Sequence, residues 1–102
     1  MRVIHKFPVR PADTWGIPVP QGSKPLCVGL QGGEPQLWVE RDVGAPAVED
    51  GLRFATIPTG SPFPEGGRYV GTFFTDLVGT LVFHVYDITE VTELIDGSGV
   101  GA

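Results

Sequence analysis

Cysteine and histidine, which often act as catalytic groups or metal ligands, are few in this chain and lie far apart in the sequence. Cys27 is the only cysteine, and His5 and His84 are the only histidines. Cys27 falls inside the apolar run KPLCVGLQ, where a thiol usually packs in the core, so we expect it to be buried and inert. A metal site needs at least three convergent ligands, and the histidines share no HxH or HxxxH spacing. The sequence predicts a protein that is not an enzyme and that uses no metal or cofactor.

The residues that suit binding are concentrated around 58–73, PTGSPFPEGGRYVGTF. Glycine loops that hold phosphates lead into a helix, whereas these glycines lead into a strand, and neither GxxxxGK[ST] nor GxGxxG occurs. The stretch is still longer than a hairpin needs, and long ordered loops often carry function. It is either a rigid turn braced by prolines or part of a ligand site. The candidate site residues are Arg53, Thr59, Gly60, Ser61, Phe63, Arg68, Tyr69 and His84.

In the second interpretation, the residue types suit a small nucleotide such as a cyclic dinucleotide. Phe63 and Tyr69 would stack on bases, at about 1–3 kcal/mol per base, while Arg53 and Arg68 would bind phosphates. Hydroxyl groups and loop amides would orient the ligand. The expected activity is stoichiometric capture of the nucleotide without turnover.

Two other aromatic residues, His84 and Trp15, each allow two interpretations. His84 shares one strand face with Val82 and Tyr86. It is either a core histidine bonded to a carbonyl or hydroxyl group, or a residue that lines a pocket or a subunit interface and donates to a ligand. Trp15 lies in a proline-rich segment. It either closes one end of the fold or presents an aromatic surface to a partner protein.

Short alternating apolar runs separated by glycine and proline predict an all-β fold, a small antiparallel β-sandwich or partly open barrel of about six to seven strands. The turn GGEP (32–35) is typical of a hairpin, and residues 42–51 are predicted to be a polar loop. The hairpins 24–41 and 68–87 are expected at the centre. The predicted strands are 2–7, a short edge strand at 14–17, 24–31, 36–41, 52–57, 68–75 and 80–87, with a turn near 77–79.

The strand 80–87 is apolar on both faces, so both faces should be covered. One cover is the rest of the domain, and the other is the C-terminal segment or a second subunit. Because this surface and Phe73–Phe74 exceed what a small monomer readily covers, we expect a homo-oligomer, a dimer or a dimer of dimers. Residues 87–97 form either the one short C-terminal helix or a strand extension. The chain is expected to be a single β domain over 1–96 with a flexible tail at 97–102.

The 102-residue chain carries a net charge of −5. An acidic protein gains little from neutralising duplex phosphates, so we expect no binding to duplex nucleic acid. No apolar run approaches the roughly 18 residues of a membrane span, so no membrane association is expected. A single cysteine excludes an internal disulfide and fits a reducing cytoplasm.

The segments VIHKF, LQGGEPQLWV, TGSPF, YVGTF and LVFHVYD, in this order over 2–87, resemble a family of small tailed-phage proteins of uncharacterised function. A histidine usually occupies the Ser61 position in that family, so this chain departs from the pattern there. The resemblance implies a small phage protein in the host cytoplasm. Proteins of this class often counter host defence, some by sequestering nucleotide signals. The alternative is a structural or interaction module that acts on a host or virion protein without a small ligand.

Overall fold

The computed structural model describes residues 1–63, 65–75 and 81–91, and the regular structure of these residues is entirely β. The seven strands, all paired antiparallel, are β1 (Arg2–Pro8), β2 (Thr14–Val19), β3 (Lys24–Gln31), β4 (Glu34–Asp42), β5 (Val48–Pro58), β6 (Arg68–Thr75) and β7 (Leu81–Asp87). The described part of the chain contains no helix long and apolar enough to cross a membrane. The predicted all-β fold is confirmed.

The strands form two sheets. Sheet 1 has the order β1-β4-β3, and sheet 2 has the order β2-β5-β7-β6. The two predicted hairpins are therefore present as β3–β4 and β6–β7. Within these hairpins, β4 and β7 are interior strands of their sheets, while β3 and β6 lie at sheet edges. The predicted edge strand at 14–17 is also present, as β2, and it extends to Val19.

The turn between β3 and β4 consists of Gly32 and Gly33, and Gln31 pairs with Glu34 across it. Both glycines have positive φ angles, 60° and 82°. Two consecutive positive φ values are typical of a type I′ hairpin turn, and glycine adopts them without a steric penalty. The hairpin predicted from GGEP is confirmed, with β4 starting at Glu34.

A hydrophobic core lies between the inner faces of the two sheets. Its buried members are Val9, Trp15, Ile17, Val19, Leu37, Val39, Leu52, Phe54, Phe73 and Val85. Trp15 is only 7% exposed; its ring lies 4.9 Å from that of Phe54, and its Nε1 donates to Thr56 Oγ1 at 2.8 Å. Trp15 thus packs in the core and does not present its ring to a partner.

The sandwich is nearly closed along the side where β3 faces β6. A Cβ added to Gly71 would lie 2.9 Å from the Cβ of Val28 and 3.1 Å from its backbone nitrogen. Only glycine permits backbones to approach this closely. The two strands nevertheless belong to different sheets, so the fold is a partly open sandwich and not a closed barrel.

Two local predictions are wrong, and the register of the strand pairs shifts near both places. Cys27 lies opposite Trp38 on the outer face of sheet 1, where it is exposed, because it alternates with Val28, which packs against the core. The register shift between Pro25 and Cys27 leaves Leu26 40% exposed. A bulge resets the alternation of side chains, and sequence alternation alone cannot locate it. The second shift lies in the β2–β5 pair, where Val19 pairs with Val48, so residues 48–51 belong to β5 and not to a loop.

Part of the outer face of sheet 2 is covered by the chain itself. After β7 the chain makes a turn in which Val91 N–H donates to the Ile88 carbonyl at 3.0 Å. Ile88 and Val91, 0% and 5% exposed, pack there with Ala55 and Ile57. The C-terminal segment thus covers the outer face of β7 at Tyr86, which is one of the two predicted covers, and residues 88–91 form neither a helix nor a strand. The remaining predictions for 92–96, for the tail 97–102 and for the turn near 77–79 lie outside the described residues.

Candidate ligand-binding site

The loop that follows β5 folds over the outer face of sheet 2 and brings three aromatic rings together. The ring of Phe63 lies parallel to that of Tyr86, with centroids 5.2 Å apart and an interplanar angle of 5°. The ring of Tyr69, the cross-strand partner of Tyr86, meets it edge-on at 5.7 Å. Phe63 and Tyr69 remain 57% and 58% exposed. We call these three residues the aromatic platform, because two of the three rings still offer surface to a ligand.

Two hollows flank the loop beside the platform. The smaller, of about 230 Å³, is lined by residues that include Thr59, Gly60, Ser61, Phe63, His84 and Tyr86. The larger, of about 510 Å³, is lined by Asp13, Thr14, Ser61, Pro62, Phe63 and neighbouring β5 residues. No lysine or arginine is among the described residues that line either hollow. The linings therefore combine apolar and hydroxyl groups with the carboxylate of Asp13, and the described residues among them include no cation.

His84 joins the platform to the loop through a chain of hydrogen bonds. Its Nδ1 lies 2.9 Å from Thr72 Oγ1, which in turn lies 2.5 Å from the Tyr69 hydroxyl oxygen. Its Nε2 lies 2.8 Å from Thr59 Oγ1. We call Tyr69, Thr72, His84 and Thr59 the relay. Both interpretations of His84 apply, since it is half-buried and bonded to hydroxyl groups while it also lines the smaller hollow.

The structure places the two predicted phosphate-binding arginines away from the platform hollows. Arg68 pairs with Asp87. Because Arg68 comes directly before Tyr69, alternation places its side chain on the face of β6 opposite to that of Tyr69. There it lines a separate cleft of about 300 Å³ together with Lys24, Asp87 and Glu90. Arg53 is half-buried further along β5; its N–H donates to Thr89 Oγ1 at 3.0 Å, and its carbonyl accepts from Ile88 N–H at 2.8 Å.

Six of the eight predicted site residues therefore lie together around the platform and the smaller hollow, namely Thr59, Gly60, Ser61, Phe63, Tyr69 and His84. Arg53 is on the same outer face of sheet 2, because Leu52 and Phe54 on either side of it point into the core, but it lines neither hollow. Sequence reasoning missed Tyr86 and Thr72. The alternation of Val82, His84 and Tyr86 could have found Tyr86. Thr72 could not have been found without the β6–β7 register, which sets it directly opposite His84.

In the described residues, no group of three or more His, Cys, Asp or Glu side chains is arranged to hold a metal ion. The platform and relay together offer flat ring surfaces, hydroxyl groups and an imidazole. These groups can stack on a planar ring and form hydrogen bonds at its edge.

Comparison with family models matches residues 1–94 to a domain of unknown function, DUF7352. The comparisons with curated proteins and with solved structures gave no match.

Proposed function

The chain belongs to the DUF7352 family, and we propose that it is a non-enzymatic protein that binds and sequesters a small nucleotide on the outer face of sheet 2. The observation that carries this proposal is the aromatic platform. Phe63 is held parallel to Tyr86 and is 57% exposed, so a ring stacked on Phe63 would continue an existing stack. Stacking of this kind contributes about 1–3 kcal/mol per base.

The charges around the platform narrow the ligand class. Because the described residues that line the two hollows include no cation, binding energy must come from the bases more than from the phosphates. A cyclic dinucleotide fits this balance, since it has one base for each negative charge. Two exposed rings, Phe63 and Tyr69, could each receive one base.

The biological setting follows from the resemblance described above. We propose that the chain is a phage protein that acts in the host cytoplasm, where capture of a nucleotide signal would counter host defence. Capture requires tight binding and abundance but no turnover. The scarcity of catalytic side chains in the sequence supports a role of this kind.

A homo-oligomer is part of the proposal. Phe74, on the outer face of β6, is 53% exposed, which leaves apolar surface beside the platform that a second copy could cover. We expect light scattering to give a multiple of 10.9 kDa at micromolar concentration, and Phe74→Ser to shift the protein toward the monomer. A parent protein that remains monomeric would contradict the oligomer.

A protein-binding module is the second candidate. The burial of Trp15 removes the contact that the sequence suggested for it. The same exposed aromatic surface, Phe63, Tyr69 and Phe74, is the feature that favours it. A stoichiometric protein partner captured from infected cells, with no nucleotide retained, would favour this candidate over nucleotide capture.

The direct test is calorimetry or thermal shift of the protein with cyclic dinucleotides, cyclic trinucleotides and ADP-ribose derivatives. We expect at least one cyclic dinucleotide to raise the melting temperature, because a ligand that binds only the folded state stabilises that state. If no member of the panel changes the melting temperature or releases heat, nucleotide capture is wrong.

A further inference from the structure

We propose that the relay presents the Tyr69 hydroxyl oxygen to the ligand as a hydrogen-bond acceptor, so that the platform selects a base that carries an amino group. The ligand part of this inference rests on the proposed function. The direction of the hydrogen bonds rests on the protein alone.

Donors and acceptors along the relay can be assigned in order from the Val82 backbone carbonyl, because a carbonyl oxygen can only accept hydrogen bonds. The Val82 carbonyl oxygen receives the backbone N–H of Thr59 at 3.0 Å, and Thr59 Oγ1 lies 3.3 Å from the same oxygen. A threonine hydroxyl has one hydrogen to donate. If that hydrogen is donated to Val82, then Thr59 Oγ1 must accept at its other contact, from His84 Nε2 at 2.8 Å.

The rest of the direction follows from imidazole chemistry. A neutral imidazole carries one N–H, so a donating Nε2 makes Nδ1 an acceptor. The Thr72 hydroxyl therefore donates to His84 Nδ1, and Thr72 Oγ1 accepts from the Tyr69 hydroxyl. The phenolic hydrogen points inward along the relay. The lone pairs of the Tyr69 oxygen, on a side chain that is 58% exposed, remain free to accept.

Because the Tyr69 oxygen is left as an acceptor, the site favours ligands that carry a hydrogen-bond donor. A base stacked on the platform with an amino group at its edge can donate to the Tyr69 oxygen, as adenine, cytosine and guanine can. A base that lacks the amino group forfeits one hydrogen bond, which corresponds to a loss of about three- to tenfold in affinity. The relay would thus act as a specificity device that stacking alone cannot supply, because every base has a ring face.

The first test needs no ligand. Nitrogen-15 NMR of the free protein under alkaline conditions, where imidazole is neutral, reports which ring nitrogen of His84 carries the hydrogen. We expect the Nε2–H form. His5→Gln assigns the signals, because the chain has two histidines, and Thr59→Val should reduce the preference for Nε2–H. A predominant Nδ1–H form in the parent protein would overturn the proposal.

The second test compares cyclic di-AMP with the analogue in which hydrogen replaces both 6-amino groups. The parent protein should bind cyclic di-AMP about three- to tenfold more tightly, and Tyr69→Phe, which keeps the ring, should bind the two ligands equally. Equal binding by the parent overturns the amino selectivity. If neither ligand binds, the selectivity for cyclic di-AMP is wrong, while the nucleotide panel decides the proposed function and the tautomer measurement decides the direction of the relay.

Discussion

Sheet 1 and sheet 2 both pack one face into the shared core, yet their outer faces differ in what lies on them. On sheet 1 the outer face carries polar cross-strand pairs, such as Arg2 Nε with Glu40 Oε2 at 2.6 Å and Lys6 Nζ with Gln31. On sheet 2 the outer face is apolar and aromatic, and the turn 88–91 and the loop with Phe63 lie over it. Water can form hydrogen bonds with the polar groups on the outer face of sheet 1. The apolar outer face of sheet 2, in contrast, is more stable when other residues cover it.

The difference suggests why a binding surface would form on one side only. The cover on sheet 2 is incomplete, since Ile88 and Val91 bury Ala55 and Ile57 but leave Phe63 and Tyr69 more than half exposed. A partly covered aromatic face leaves ring surface in solvent, and contiguous exposed apolar surface often marks a binding site. The outer face of sheet 1 also carries apolar side chains, among them Ile4 at 59% exposure, but the polar pair Arg2–Glu40 and Lys6 lie on the same face.

The largest effect should come from removing the cover of sheet 2. Ile88→Ala deletes a side chain that is 0% exposed, and the lost burial and the cavity should lower the free energy of unfolding by about 2–4 kcal/mol. Ile4→Ala, at a 59% exposed position on sheet 1, is the matched control and should cost less than about 0.5 kcal/mol. Urea denaturation measures both. Equal losses would mean that the two outer faces do not differ in cover.

Next in size is the effect of the platform on binding. Phe63→Ala removes the exposed stacking ring and should weaken cyclic dinucleotide binding by about 1–3 kcal/mol, with little change in stability. Ile4→Ala, at a position of similar exposure (59%) on the outer face of sheet 1, should bind as the parent does. Calorimetry on the two variants separates the faces. Unchanged binding by Phe63→Ala would remove the platform from the site.

A smaller effect is expected from salt. Since Arg68 lines a different cleft and the platform hollows lack cations among the described residues, affinity should change less than about twofold between roughly 50 and 200 mM salt. Arg68→Ala should leave the affinity unchanged. A steep loss of affinity with salt, or a weakened Arg68→Ala variant, would indicate that phosphate contacts dominate and that the ligand reaches the arginines.

The smallest effect concerns the end of sheet 1. The Asp42 carboxylate accepts the Gly44 N–H at 2.9 Å and lies 3.2 Å from the N-terminal ammonium; these contacts lower its pKa from the ordinary 3.8. Because the pKa is lower in the folded state, Asp42 contributes its stability above 3.8, and that contribution is lost as the pH falls through the folded value. NMR titration should show the low pKa, and N-terminal acetylation should raise it part of the way to 3.8.

Much of the fold could be predicted because it depends on local chemistry. Leu52 shares a face of β5 with Phe54, and Phe83 shares a face of β7 with Val85, as follows from the alternation of side chains in any extended strand. The Gly32–Gly33 turn was predictable for a similar reason, as few residues other than glycine tolerate its φ angles. The bulge beside Cys27 was not predictable, because a bulge depends on the partner strand.

By itself, the sequence determined the approximate positions of the strands, the turn between β3 and β4, the all-β class and the residue types of the loop around Phe63, since each depends on residues close together in the chain. Only the tertiary structure decided which of the eight candidate side chains share a surface. The β6–β7 register brings Tyr69 and Thr72 to Tyr86 and His84, while alternation along β6 sends Arg68 to the other face. The physical reason is that a shift of one residue in a strand moves a side chain to the opposite side of the sheet, and register is set by contacts between distant parts of the chain.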